Sequence, residues 1–163
     1  MSVFLIISAC DDDDELPEPT DQGENMMAFK IEDTVWEAGV IPGVGETPEP
    51  VEGSYNTESN HLILTGRRKD INDDHVVELS FREVTGSGEY TIGLQAPSEA
   101  YFKDRQEDVT YTSTMEHGGT LELNTLDTEN NIAAGEFHFE AINMAQDEIE
   151  IEEGRFDIKI EVF

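Results

Sequence analysis

From Met26 onwards apolar and polar residues alternate with a period of two, the pattern of strands that turn one face to a core and the other to water. Met27, Phe29 and Ile31 share a face against Ala28 and Lys30. His61-Leu62-Ile63-Leu64-Thr65 is a short apolar strand closed by Gly66, and Val77, Leu79 and Phe81 oppose Glu78, Ser80 and Arg82. Gly86-Ser87-Gly88 turns the chain into Glu89-Tyr90-Thr91-Ile92. Val109, Tyr111, Ser113 and Met115 alternate again, and Gly118-Gly119 precedes Leu121-Glu122-Leu123. In the last third Phe137, Phe139 and Ala141 lie between Glu136, His138 and Glu140. Ile149 and Ile151 follow, then Gly154, and Phe156, Ile158, Ile160 and Val162 oppose Arg155, Asp157, Lys159 and Glu161. Strands at this spacing, separated by Gly, Asn and Asp turns, predict an all-β fold: an antiparallel β-sandwich or barrel of roughly 8–10 strands. A short helical turn is expected around Pro97-Ser98-Glu99-Ala100.

The alternation also sets the organisation: 1–9 a signal segment, 10–25 an acidic flexible tether, and 26–163 a single all-β domain. Val3 to Ile7 is an apolar run, and Ser8 and Ala9 lead into Cys10, the one cysteine of the chain. A short apolar segment ending in small residues marks a processed secretory signal. Ile7-Ser8-Ala9-Cys10 resembles the lipobox of bacterial lipoproteins, which implies a lipid on the Cys10 sulfur and a membrane contact made through that anchor. The run is shorter than the ~7–15 residues of a full signal core and no Lys or Arg precedes it; a start assigned too far downstream accounts for both. Behind the cysteine, Asp11 to Glu15 and the Pro-containing stretch to Asn25 predict an extended, self-repelling spacer. An acidic run in this position resembles the surface-export signal of Bacteroidetes lipoproteins. It implies an outer-membrane, lipid-anchored and surface-exposed protein.

With one cysteine, no disulfide forms within the chain. The formal charge is −29, and residues 26–163 carry −21 of it, from thirty acidic and nine basic residues. Such a field repels nucleic acid and anionic lipid, which excludes nucleic acid as a partner and leaves cations, basic proteins or glycans. The excess is spread along the domain, the mark of a generally acidic or salt-adapted surface. No apolar run apart from the N-terminus approaches the ~18 residues needed to span a bilayer.

Chemistry-bearing motifs are sparse. His61, His75, His117 and His138 show no i, i+4 pairing, and no second cysteine completes a zinc site, so neither a metal ligand set nor a cofactor is expected. There is no Gly-x-Ser-x-Gly elbow, phosphate-cradling loop or dinucleotide fingerprint, and no catalytic residue is assigned. Asp70-Ile71-Asn72-Asp73-Asp74 and Asp127-Thr128-Glu129-Asn130-Asn131 place oxygens at alternate positions. They do not continue as EF-hands, and the expectation is two polar hairpin turns. Gly39 to Gly53, with four glycines and three prolines, reads as one long loop between Trp36 and Tyr55, either the rim of a binding site or a mobile insertion with Trp36 simply filling the core.

Together, a lipobox, a first hairpin ending in Trp (Met27 to Trp36), Gly135-Glu136-Phe137-His138-Phe139 and Gly154-Arg155-Phe156-Asp157-Ile158 resemble a group of small uncharacterised Bacteroidetes lipoproteins. In the first hairpin Glu32-Asp33 stands where Asn-Gly or Asp-Gly is usual. The resemblance implies class and location and assigns no catalytic residue. The expected function is a non-catalytic binding or surface module of the cell envelope, its ligand unknown. The alternatives are a structural or cation-binding acidic surface protein and a glycan-acting enzyme.

Overall fold

The computed structural model describes residues 15–41, 48–93 and 98–163. Among these the chain forms twelve strands and no helix. They are β1 (Met26–Ile31), β2 (Thr34–Glu37), β3 (Gly39–Val40), β4 (Val51–Asn56), β5 (His61–Lys69) and β6 (Asp74–Phe81). Then follow β7 (Gly88–Ile92), β8 (Ser98–Asp104), β9 (Val109–Thr112), β10 (Gly119–Asp127), β11 (Ile132–Ile142) and β12 (Glu148–Val162). The all-β expectation holds, with more strands than the 8–10 expected. The loop read between Gly39 and Gly53 supplies strand at both ends, and residues 42–47 lie outside the described region. The helical turn expected at Ser98-Glu99-Ala100 is instead the start of β8, with Pro97 outside the described residues. Small side chains suit this place: Ser98 and Ala100 pair with Phe81 and Leu79, and the Ala100 N–H donates to Ser113 Oγ at 2.9 Å.

All twelve strands belong to one sheet, antiparallel except for β12–β4 and β3–β5. β12 closes it. One edge of β12 pairs along β11; the other pairs with β1 and then, over Ile160–Val162, in parallel with β4. The pairings β12-β4-β5-β6-β8-β9-β11-β12 therefore form a ring of seven strands, a barrel rather than two facing sheets. β1, β2 and β3 extend the ring between β12 and β5, while β10 and β7 extend it from β11. Closure pairs the ring strands on both sides and leaves one-sided pairing to the short β2, β3 and β7.

The inward residues fill the barrel. Phe29, Trp36, Leu62, Leu64, Val77, Leu79, Phe81, Leu121, Phe139, Ile151, Phe156 and Ile158 belong to one continuous core of buried side chains. Fully burying each large one contributes roughly 1.5–3 kcal/mol. Phe29 stacks on Trp36 at 4.5 Å and meets Phe137 edge-on at 6.0 Å. Gly66 makes room for this: a Cβ there would stand 2.6 Å from Met27 Sδ and 3.3 Å from the Trp36 ring.

Two features of the sheet rest on non-glycine residues at positive φ. Glu32 and Asp33 have φ of 51° and 62°, so the first hairpin makes the two-residue turn with both φ positive from a pair without glycine. β12 is one continuous strand through Gly154. A bulge with Glu153 at φ 50° absorbs one residue.

The tether expected over residues 10–25 is not free along its second half. Burial raises the Asp157 pKa, but the Thr20 hydroxyl and the N–H groups of Glu24, Gly23 and Gln22 outweigh this and hold the carboxyl below its ordinary range. Their distances are 2.6, 3.2, 2.7 and 2.9 Å. The Lys159 N–H donates to Asn25 Oδ1 and Arg155 donates to the Pro17 carbonyl. This strap covers the outward face of β12, and Asp157 has no exposed surface.

Candidate functional site at one end of the barrel

The β1–β2 turn, the β8–β9 hairpin and the start of β12 meet at one end of the barrel, where the core is left uncovered. They enclose a cavity of about 400 Å³. Its floor is Phe102, Ile31, Val109, Tyr111 and Ile149; Glu32, Asp104 and Glu107 stand at its rim. Ile31, Tyr111 and Ile149 are the partly buried fringe of the main core, so the floor is the core's own end surface. Strand parity puts them there, because Phe102 pairs with Tyr111 across β8–β9 and with Val77 across β6–β8. The His75 ring packs on Phe102 at 5.2 Å, with Nε2 3.7 Å from the Asp104 carboxylate and Nδ1 without a partner. The mouth has an apolar floor, a phenol and an acidic rim, and can seat an apolar group.

A larger open groove of about 710 Å³ runs over the outside of β4, β5 and β12. Glu49, Glu52, Ser54, Thr65, Lys159 and Glu161 line it, with Ile63 and Val51 as its apolar members. Glu52 is paired with Arg67 at 2.9 Å. Without an aromatic plane or apolar floor, this groove is the solvated outer face of the sheet.

The residues singled out in the sequence do not converge. Of the two readings of the Gly39–Gly53 loop, the one in which Trp36 fills the core holds: Trp36 lies on Phe29, and Tyr55 is buried too, its hydroxyl donating to the Val84 carbonyl at 2.7 Å. Burial raises the Tyr55 pKa. The four histidines sit apart. His61 reaches Ser80 Oγ at 2.9 Å, and burial, aided by Arg82, lowers its pKa. His117 lies between Glu140 (3.7 Å) and Glu148 (3.9 Å), and His138 reaches Thr120 at 3.2 Å. Among the described residues no three His, Cys, Asp or Glu side chains gather to hold a metal ion.

The two oxygen-rich segments are hairpin turns. Asp70 Oδ1 accepts the N–H groups of Asn72 and Asp73, which lowers the Asp70 pKa, and Arg68 pairs with Asp70 and Asp73. Asp127 is lowered by the Asn130 side chain and by the N–H groups of Asn130 and Glu129. Cys10 lies outside the described residues.

Sequence reasoning missed the mouth because three elements far apart in the chain build it. Ile71 and Met144, apolar residues within polar turns, were legible in the sequence; they are 86% and 100% exposed and lie outside the cavity lining.

The fold and this end surface define an all-β barrel with a filled interior and an uncovered apolar mouth. The family model for a domain of unknown function, DUF6252, matches residues 50–158, from the threshold of β4 to near the end of β12, and the chain belongs to this family. No curated protein and no solved structure matches it.

Proposed function

We propose that the chain is a non-catalytic binding module of the bacterial cell envelope, a Bacteroidetes-type lipoprotein held to the outer membrane by a lipid on Cys10 and facing outward. The mouth carries the binding half of this reading. In a barrel whose interior is packed with side chains, a ligand has to be met at the surface, and the core is accessible there. The anchoring half rests on Ile7-Ser8-Ala9-Cys10 and the acidic run behind it. A single acyl chain holds only marginally, so stable attachment calls for the multiple acylation typical of lipoproteins.

Each half has its own test. Expressed with a complete upstream signal, the protein is expected to partition into detergent and to lose that behaviour in Cys10→Ser; equal partitioning of both forms refutes the anchor. A mixture of small neutral aromatic fragments is expected to shift the amide signals of Phe102, Tyr111 and Ile149 and to leave β4 and β10 unmoved. A spectrum without mouth shifts refutes the binding site and favours the second reading, an acidic structural or cation-buffering surface protein, which the −21 charge of residues 26–163 supports.

A further inference from the structure

We infer that the mouth end of the barrel docks a basic polypeptide segment carrying a large apolar side chain; the inference rests on the binding reading above and names its partner. Strand direction puts four turns at this end: 32–33, 70–73, 105–108 and 143–147. Two of them project apolar side chains into water, Ile71 and Met144, and Ile41 is half exposed where the chain leaves β3 beside Lys69. These tips do not belong to the lining of the cavity. They are separate apolar points around the same end, and an occupant that reached them as well as the cavity would be protein-sized. Its anchor is one aromatic or aliphatic residue in a cavity of about 400 Å³, over Phe102 and beside Tyr111.

Charge complementarity fixes the sign of the segment. Glu32, Asp104 and Glu107 ring the mouth, and no lysine or arginine lines it. Arg68 and Lys103, on the strands that lead to this end, are held by Asp70, Asp73 and Asp108. Lys69 and Arg105 lie outside the lining. A lysine- or arginine-rich segment satisfies the rim while its apolar residue covers the floor. An acidic segment would meet like charge at each edge.

The probes are three pentapeptides, Lys-Lys-Trp-Lys-Lys, Lys-Lys-Ala-Lys-Lys and Glu-Glu-Trp-Glu-Glu, titrated into the full chain and followed by amide chemical shifts. The basic Trp peptide is expected to shift Phe102, Tyr111 and Ile149, to bind at least tenfold more tightly than either control, and to weaken as sodium chloride rises. Glu107→Lys, at an exposed position, is expected to weaken it several-fold without lowering the melting temperature. If the acidic Trp peptide binds as tightly, the basic partner is refuted while the binding site stands. If neither Trp peptide perturbs the mouth although neutral fragments do, the polypeptide partner is refuted alone; silence from the fragments as well refutes the site itself. Perturbation of Ile71 and Met144 by phosphatidylcholine vesicles, with none by the peptides, makes this end a lipid contact and overturns the inference.

Discussion

Asp157→Asn separates the strap from the barrel it rests on. In the native protein the carboxylate accepts from the Thr20 hydroxyl and from the N–H groups of Gln22, Gly23 and Glu24. Hydrogen bonds to a charged group contribute about 1.5–3 kcal/mol each, so the four supply roughly 6–12 kcal/mol. Ordering the five residues from Thr20 to Glu24 costs about 1–2 kcal/mol each, roughly 5–10 kcal/mol in all. The two sums nearly cancel, and the strap is held by a margin of a few kcal/mol. An asparagine keeps one acceptor oxygen and turns an NH₂ towards backbone donors, which removes about half the gain. The strap should then release while the barrel stays closed, because its N–H groups find water as soon as it lifts. Native-state hydrogen exchange reads this directly. In Asp157→Asn the amides of Gln22, Gly23 and Glu24 should exchange at least tenfold faster, while Leu62, Leu64 and Leu79 keep their protection. Acid should act on the wild type in the same way. The folded carboxyl titrates below its ordinary value of 3.8, so its contribution is complete above that value and is lost as the pH falls through the lowered one. Unchanged protection of the three strap amides in the variant would refute the reasoning.

Other expectations follow from the core, the first hairpin and the charge. Phe139→Ala, at a fully buried ring, should lower stability by about 3–5 kcal/mol in denaturant titration, while the neighbouring outward Glu140→Ala stays close to wild type. Replacing Glu32-Asp33 by Asn-Gly relieves two side chains held at positive φ and should raise stability by roughly 1–3 kcal/mol; an unchanged or lower midpoint counts against the turn assignment. Residues 26–163 repel themselves at −21, so melting temperature should climb steadily with sodium chloride as the Debye length shrinks from ~10 Å at 0.1 M to ~3 Å at 1 M. A saturable rise with millimolar calcium that magnesium does not reproduce would point to a cation site instead.

The strands were legible where burial is decided by near neighbours. Phe137, Phe139, Phe156 and Ile158 face inward as their alternation required. Even the bulge in β12 left a trace: Ile149 and Ile151 are odd-numbered, Phe156, Ile158 and Ile160 are even, and an inserted residue is what reconciles the two parities on one strand. Features that depend on distant partners were not legible. Asp157 alternates with core residues and reads as a solvated acid, yet chain more than a hundred residues upstream buries it. Ser113 reads as one more strand position, whereas it lies past the end of β9 and binds the Ala100 N–H, and Met115 beyond it is exposed. The choice between sandwich and barrel turns on a few pairings, Ile142 with Thr112 and Ile160 with Gly53 among them, that no local pattern encodes.

The double pairing of β12 also dictates an order of events during synthesis. Met27 waits for Phe156, Gly53 waits for Ile160 and Phe137 waits for Gly154. Until the ribosome has released the stretch beyond residue 148, three strands made earlier have no neighbour along one edge, and the β1–β2 hairpin stays apart from an open ribbon of the other strands. Pairings of such long sequence separation form slowly. A chain built this way keeps its N-terminal strands unpaired along one edge for nearly the whole of synthesis, and it acquires its shape only when the last strand arrives.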